Sequence, residues 1–94
     1  MRLGSQRYGP VAWALVVIDY RADRPRWEQA AEVIEQRITD GTYVPGTPLP
    51  GEQRLADELG LARTTVRKAI MALVNRGALY KVPSIGTFVS EPKD

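Results

Sequence analysis

Five polar side chains within one short run, Arg63, Thr64, Thr65, Arg67 and Lys68, carry the most pointed chemistry in this sequence. A guanidinium donates in a fixed fork that matches two neighbouring acceptors, such as guanine O6 and N7, while hydroxyls and the amides of a helix start suit phosphate oxygens. The charge around this run has one sign. No Asp or Glu stands between Leu59 and Ser90, whereas Arg63, Arg67, Lys68, Arg76 and Lys81 do. The net charge of +2 conceals this, because an acidic middle offsets the basic last third. A long acid-free stretch with several cations offers a surface to a polyanion, and duplex DNA is the partner that fits such a surface.

Other chemistries are poorly supplied. The chain has no Cys and no His, so disulfides, thiolate nucleophiles, the usual zinc sites and Ser-His relays are all excluded. Glu28, Glu32 and Glu35 fall along one exposed helix face and read as solubilising charges rather than an acid-base pair. We therefore expect neither an enzyme nor a cofactor. Ninety-four residues suffice for one hydrophobic core, leaving no room for a second, effector-sensing domain within this chain. The apolar run Val11–Ile18 is too short to cross a bilayer, which takes about 20 helical residues. It reads as a strand in an N-terminal extension over residues 1–24, and the expected location is the cytoplasm, without membrane attachment.

The basic run needs a scaffold, and the apolar periodicity supplies one. A first helix reads from Pro25 to Asp40, with Trp27, Ala30, Ala31, Ile34 and Ile38 on one stripe and Gly41 after its end. Residues 42–50 hold three prolines and a glycine and form a loop with at most a short edge strand. A second helix starts after Pro50, with Gly51 as its cap and Glu52 in its first turn, turns Leu55, Ala56 and Leu59 inward, and ends at Gly60. Residues 62–76 form the third, with Val66, Ala69, Ile70, Leu73 and Val74 inward, which leaves Arg63, Thr64, Arg67 and Lys68 facing out. Arg63 is then the first choice for a base contact and Arg67 the second, with Thr64 and the more inward Thr65 positioning phosphates. Beyond Gly77 the period shortens: residues 78–82 and 87–89 make a hairpin around a four-residue turn, Pro83 to Gly86. The expected fold is mainly α with a small β-hairpin, a winged helix-turn-helix of three helices and a two-stranded wing over residues 25–90, with a frayed tail at 91–94.

The order and spacing of these parts resemble the GntR-type bacterial transcription regulators over about two thirds of the chain, Pro25 to Val89. The matching pieces include Pro25-Arg26-Trp27-Glu28-Gln29, Ile38-Thr39-Asp40-Gly41, Pro45-Gly46-Thr47-Pro48-Leu49-Pro50, Glu52 with Leu55-Ala56, Leu59-Gly60, Arg63-Thr64-Thr65-Val66-Arg67-Lys68-Ala69, Leu73, Gly77 and Gly86-Thr87-Phe88-Val89. The resemblance implies a sequence-specific regulator that binds double-stranded DNA as a homodimer, each recognition helix in the major groove and each wing near the minor groove. It implies contacts from Arg63, Thr64, Thr65 and Arg67, with Gly86 and its turn at the wing.

Three positions depart from that pattern. Ala62 stands where a capping Ser is usual, an absence that costs the helix about 1 kcal/mol. Gln53 replaces an Arg that reaches DNA, so the second helix offers only a neutral amide there. The wing tip Pro83-Ser84-Ile85-Gly86 lacks a positive charge. Because the effector domain usual in the family has no place here, dimer contacts are expected from Val11–Ile18 with Trp13. The rival reading is a winged-helix protein-protein interaction module whose basic helix is incidental.

Overall fold

The computed structural model describes residues 19–91, which form three helices and a two-stranded antiparallel sheet. The segment Val11–Ile18 and residues 92–94 lie outside the described residues, and so do the strand expected at the former and most of the tail. Helix α1 spans Arg26–Thr39, α2 Glu52–Leu59 and α3 Arg63–Asn75; strands β1, Leu79–Val82, and β2, Gly86–Val89, make the hairpin.

Helix α1 starts on Pro25, whose ring presets the backbone and whose missing amide has no helical partner to lose. Its stripe buries Ala30, Ala31 and Ile34 fully, while Trp27 and Ile38 at the two ends are only partly covered. Helix α2 is amphipathic as the spacing predicts, turning Leu55, Ala56 and Leu59 inward. Gly60 ends it with φ 68°, a left-handed conformation that a side chain would oppose. Residues 60–62 then separate α2 from α3. Ala62 is extended at the start of α3, just before the first helical residue, and no side chain caps it.

Helix α3 is the centre of the molecule and packs against α1, α2 and β1. Among the described residues, Ile34, Leu55, Val66, Leu73, Leu79 and Val89 are the largest fully buried side chains, each contributing roughly 1.5–3 kcal/mol by leaving water. The hairpin pairs Leu79 with Val89, Tyr80 with Phe88, Lys81 with Thr87 and Val82 with Gly86. Its turn is thus three residues long, Pro83 to Ile85, rather than the expected four. Ser84 adopts the left-handed φ of 66°, and Gly86 is drawn into the ladder.

The proline-rich loop contributes more than a connection. Pro48 bridges to Phe88, Leu49 N donates to Thr87 O (2.8 Å), Gly46 N donates to Val89 O (2.8 Å) and Val89 N donates to Thr47 O (3.0 Å). The edge strand foreseen there is real but minimal, because proline cannot donate to a ladder. The segment ahead of α1 is also tied down. Tyr20 donates its hydroxyl to Leu59 O (2.6 Å), and the buried Gln29 amide bonds Arg21 N, Arg21 O and Arg24 O. The contacts of the domain therefore begin ahead of the Pro25 boundary read from the sequence.

Candidate nucleic-acid interface

Four-residue spacing on α3 puts Arg63 and Arg67 on one exposed face and Thr64 and Lys68 on the adjoining one. The first face looks across an open groove of about 960 Å³ toward the hairpin. Arg63 and Arg67 line one wall of that groove, with Ile70 at their base, and Lys81, Ile85 and Gly86 line the other. The structure thus assembles three of the sequence-predicted residues, Arg63, Arg67 and Gly86, around one space. It sets Thr64, Thr65, Lys68 and Gln53 elsewhere.

Thr64 is exposed and Thr65 half-buried, in line with the latter's place nearer the core stripe. Lys68 holds its ammonium 5.2 Å from the centre of the Trp27 ring, a cation–π contact that anchors it at the junction of α1 and α3. Gln53 donates to Asp57 Oδ1 (3.0 Å) along its own helix, on an exposed surface.

Sequence reasoning assigned Glu52 to the helix start and missed its larger role. Arg63 Nε and Arg67 Nε both donate to Glu52 Oε1 (3.2 Å each), and Arg67 Nη2 adds a third bond at 2.9 Å. One carboxylate oxygen thus gathers both arginines named for base contact. The Arg67 hydrogen bond holds the Glu52 carboxyl below its ordinary range; partial desolvation opposes this and Arg63 assists it. No local signal reveals the arrangement, because Glu52 and Arg67 meet only through the crossing of α2 and α3. Lys81 was also left out of the predicted site. Its signal was present in the acid-free run, but its place on the groove wall depends on the hairpin register.

Behind the site, Arg37 is buried between α1 and α2. It donates to Tyr43 OH (2.6 Å) and Glu58 Oε1 (2.9 Å), with its guanidinium 5.6 Å from the Tyr43 ring centre. Burial raises the Tyr43 pKa above its ordinary value, against the lowering effect of Arg37. This cluster fixes α2, and with it Glu52, relative to α1.

Among the described residues, no helix is long and apolar enough to cross a membrane, and no group of three or more acidic, His or Cys side chains is placed to hold a metal. The chemistry available is mostly that of donors, two forked arginines, two lysines, threonine hydroxyls and the first turn of α3, with the Glu52 carboxylate shared by the two arginines.

Residues 26–89 match the family model described as bacterial regulatory proteins, gntR family. The chain is 41% identical over 76 residues to the HTH-type transcriptional repressor NagR of Bacillus subtilis, covering 81% of this chain and 31% of that protein. It is 34% identical over 84 residues to a histidine utilization repressor of Pseudomonas putida, covering 89% of this chain and 34% of the relative. The chain thus spans about a third of the length of these relatives. Among solved structures, the AraR DNA-binding domain in complex with operator ORX1 superposes with a TM-score of 0.69 at 35% identity, over 80% of this chain and 93% of that one. A GntR family transcriptional regulator from Listeria monocytogenes gives 0.72 at 27% identity, over 78% and 64%.

Proposed function

Because this chain belongs to the bacterial GntR family of regulatory proteins, we propose that it is a DNA-binding transcription regulator, inserting α3 into the major groove and setting the wing hairpin beside the adjacent minor groove. The observation that carries this reading is the pairing of Arg63 and Arg67 on the exposed face of α3, inside a stretch without acidic residues. Their guanidiniums are about half exposed and face outward over a groove whose other wall bears Lys81. Bidentate arginine contacts to guanine give the base preference; Thr64, Thr65, Lys68 and Gln53 serve the phosphates. Relatives named as repressors, and a similar domain solved on an operator, support the same assignment.

A single module of this size buries too little surface to be very selective, so the chain acts as a homodimer on two half-sites related by a twofold axis. Val11–Ile18 and Trp13 are the apolar residues proposed to hold that dimer. The setting is the bacterial cytoplasm, and the role is binding rather than catalysis.

Selection of bound duplexes from a random library, followed by anisotropy titration of the full chain against salt, tests the reading. The expected result is a palindromic site and a log-log salt slope near −0.9 for each phosphate neutralised. Arg63→Ala should relax the preference at one base pair by about 1–3 kcal/mol. The absence of salt-dependent binding to every duplex would overturn the assignment.

A further inference from the structure

Among the described residues, the wing tip bears the most exposed of the large apolar side chains, Ile85, at 72% exposure. No charge lies from Val82 to Ser90, so the tip has neither a cation for phosphates nor an anion to repel them. The side chain is held on a stiff base. Ile85 N donates to Val82 O (3.0 Å), Tyr80 and Phe88 stack across the strands at 5.7 Å, and Pro48 and Leu49 brace β2 from its far edge. A left-handed Ser84 immediately before it sharpens the turn. Ile85 also lines the open groove that Arg63 and Arg67 line.

These observations fix what each wall would meet if α3 enters a major groove, and the inference rests on that reading. The open groove between helix and hairpin, lined by Arg63, Arg67 and Lys81 with the Glu52 carboxylate paired to the two arginines, is the place for one sugar-phosphate strand, with Arg63 and Arg67 on its major-groove side. What lies across one strand from the major groove is the minor groove. A hairpin tip without charge can enter that slot, about 6 Å wide, because none of its side chains has to keep a charged head in water.

We propose that Ile85 seats against the floor of the minor groove and acts as a specificity residue for the base pairs flanking those read by α3. The chemistry of the selection is exclusion. A G·C pair places the guanine 2-amino donor on the groove floor, where an aliphatic side chain would cover it without offering an acceptor. An A·T pair has no such donor, so Ile85 covers only ring-nitrogen and carbonyl acceptors of the kind that a G·C pair also presents, and no donor is stranded. The flank preference is therefore A·T over G·C, set without any hydrogen bond from the protein.

The test uses the full chain and a duplex selected from a random library, with the flanking pair reached by the wing changed to A·T, G·C or inosine·C. Inosine lacks the 2-amino group but keeps the major-groove face of guanine. The expected order is A·T and inosine·C binding alike and G·C about tenfold weaker. Ile85→Ser should collapse that difference without altering the salt slope, and thermal melting of the variant reports that it is folded. Equal binding of the three flanks by the wild type, or a G·C penalty that persists in Ile85→Ser, would overturn the proposal. So would inosine·C behaving as G·C, which would assign the preference to the major-groove face that the two pairs share. Failure of the chain to bind any selected duplex instead refutes the DNA reading on which the proposal stands.

Discussion

Replacing Glu52 with Gln removes one negative charge and one of the two acceptor oxygens while keeping the side chain's shape. Arg67 reaches Glu52 at 2.9 Å and Arg63 at 3.2 Å; the guanidiniums are 51% and 57% exposed and the carboxylate 25%. Ion pairs this open contribute roughly 0.2–1 kcal/mol each, so the folded state should lose about 1 kcal/mol. For a domain of this size that corresponds to a fall in Tm of roughly 4–8 °C. The pH dependence has a definite sign. Because the folded carboxyl titrates below its ordinary value, its stabilisation is complete above that value and disappears as pH falls through the folded one. Wild type and Glu52→Gln should therefore converge in Tm at the acid end and separate toward neutrality.

The effect on DNA divides by sequence. Loss of a negative charge beside phosphates strengthens binding to any duplex. Loss of the charge that gathers them leaves a single neutral oxygen to accept and loosens two long side chains, which must be reordered on binding, at about 0.5–1.5 kcal/mol each, and only where they engage base edges. The ratio of cognate to scrambled affinity should thus fall by about 1–2 kcal/mol, roughly 5–30-fold, while scrambled affinity rises. Fluorescence anisotropy on a selected duplex and a scrambled one of equal composition, at several salt concentrations, reads both quantities. An equal gain on both duplexes would refute the reasoning, leaving Glu52 as a repulsive charge and nothing more.

Three further outcomes follow from neighbouring features. Ala62→Ser supplies the missing acceptor at the start of α3, where the backbone is already extended, and should stabilise the fold by about 0.5–1 kcal/mol in thermal or urea melts. Arg37→Ala breaks the contacts to Glu58 and Tyr43 and vacates a buried position; it should cost about 2–4 kcal/mol in urea denaturation, and a loss under 1 kcal/mol would show that the cluster does not hold α2 in place. Lys68→Ala removes the ammonium held over Trp27, which is proposed to serve a phosphate and not a base, so binding should weaken alike on all sequences and the salt slope shrink by about one. A change in base preference would assign Lys68 a different role.

The helices were legible because a helix is a local object. Burying Ala30, Ala31 and Ile34, or Val66, Ala69, Ile70 and Leu73, needs only the three- and four-residue steps visible in the chain, and Gly60 marks a stop by its own conformational preference. The outward placement of Arg63, Thr64, Arg67 and Lys68 follows from the same periodicity, as does the family resemblance, which rests on residue order. The turn of the wing was misjudged by one residue. Glycine at position 86 looked like the turn residue, but Ser84 takes the left-handed conformation and Gly86 joins the ladder.

What the chain itself determined, then, was which elements form and which side chains leave the core. The partners those side chains find were decided by the tertiary structure. Glu52 gathers Arg63 and Arg67 because α2 crosses α3 at that point, Trp27 meets Lys68 because α1 does, and Ile85 lines the same groove as the arginines because the hairpin folds back beside α3. Such contacts depend on the packing angle and register of separate elements, which arise from the whole core and leave no periodic trace in the sequence.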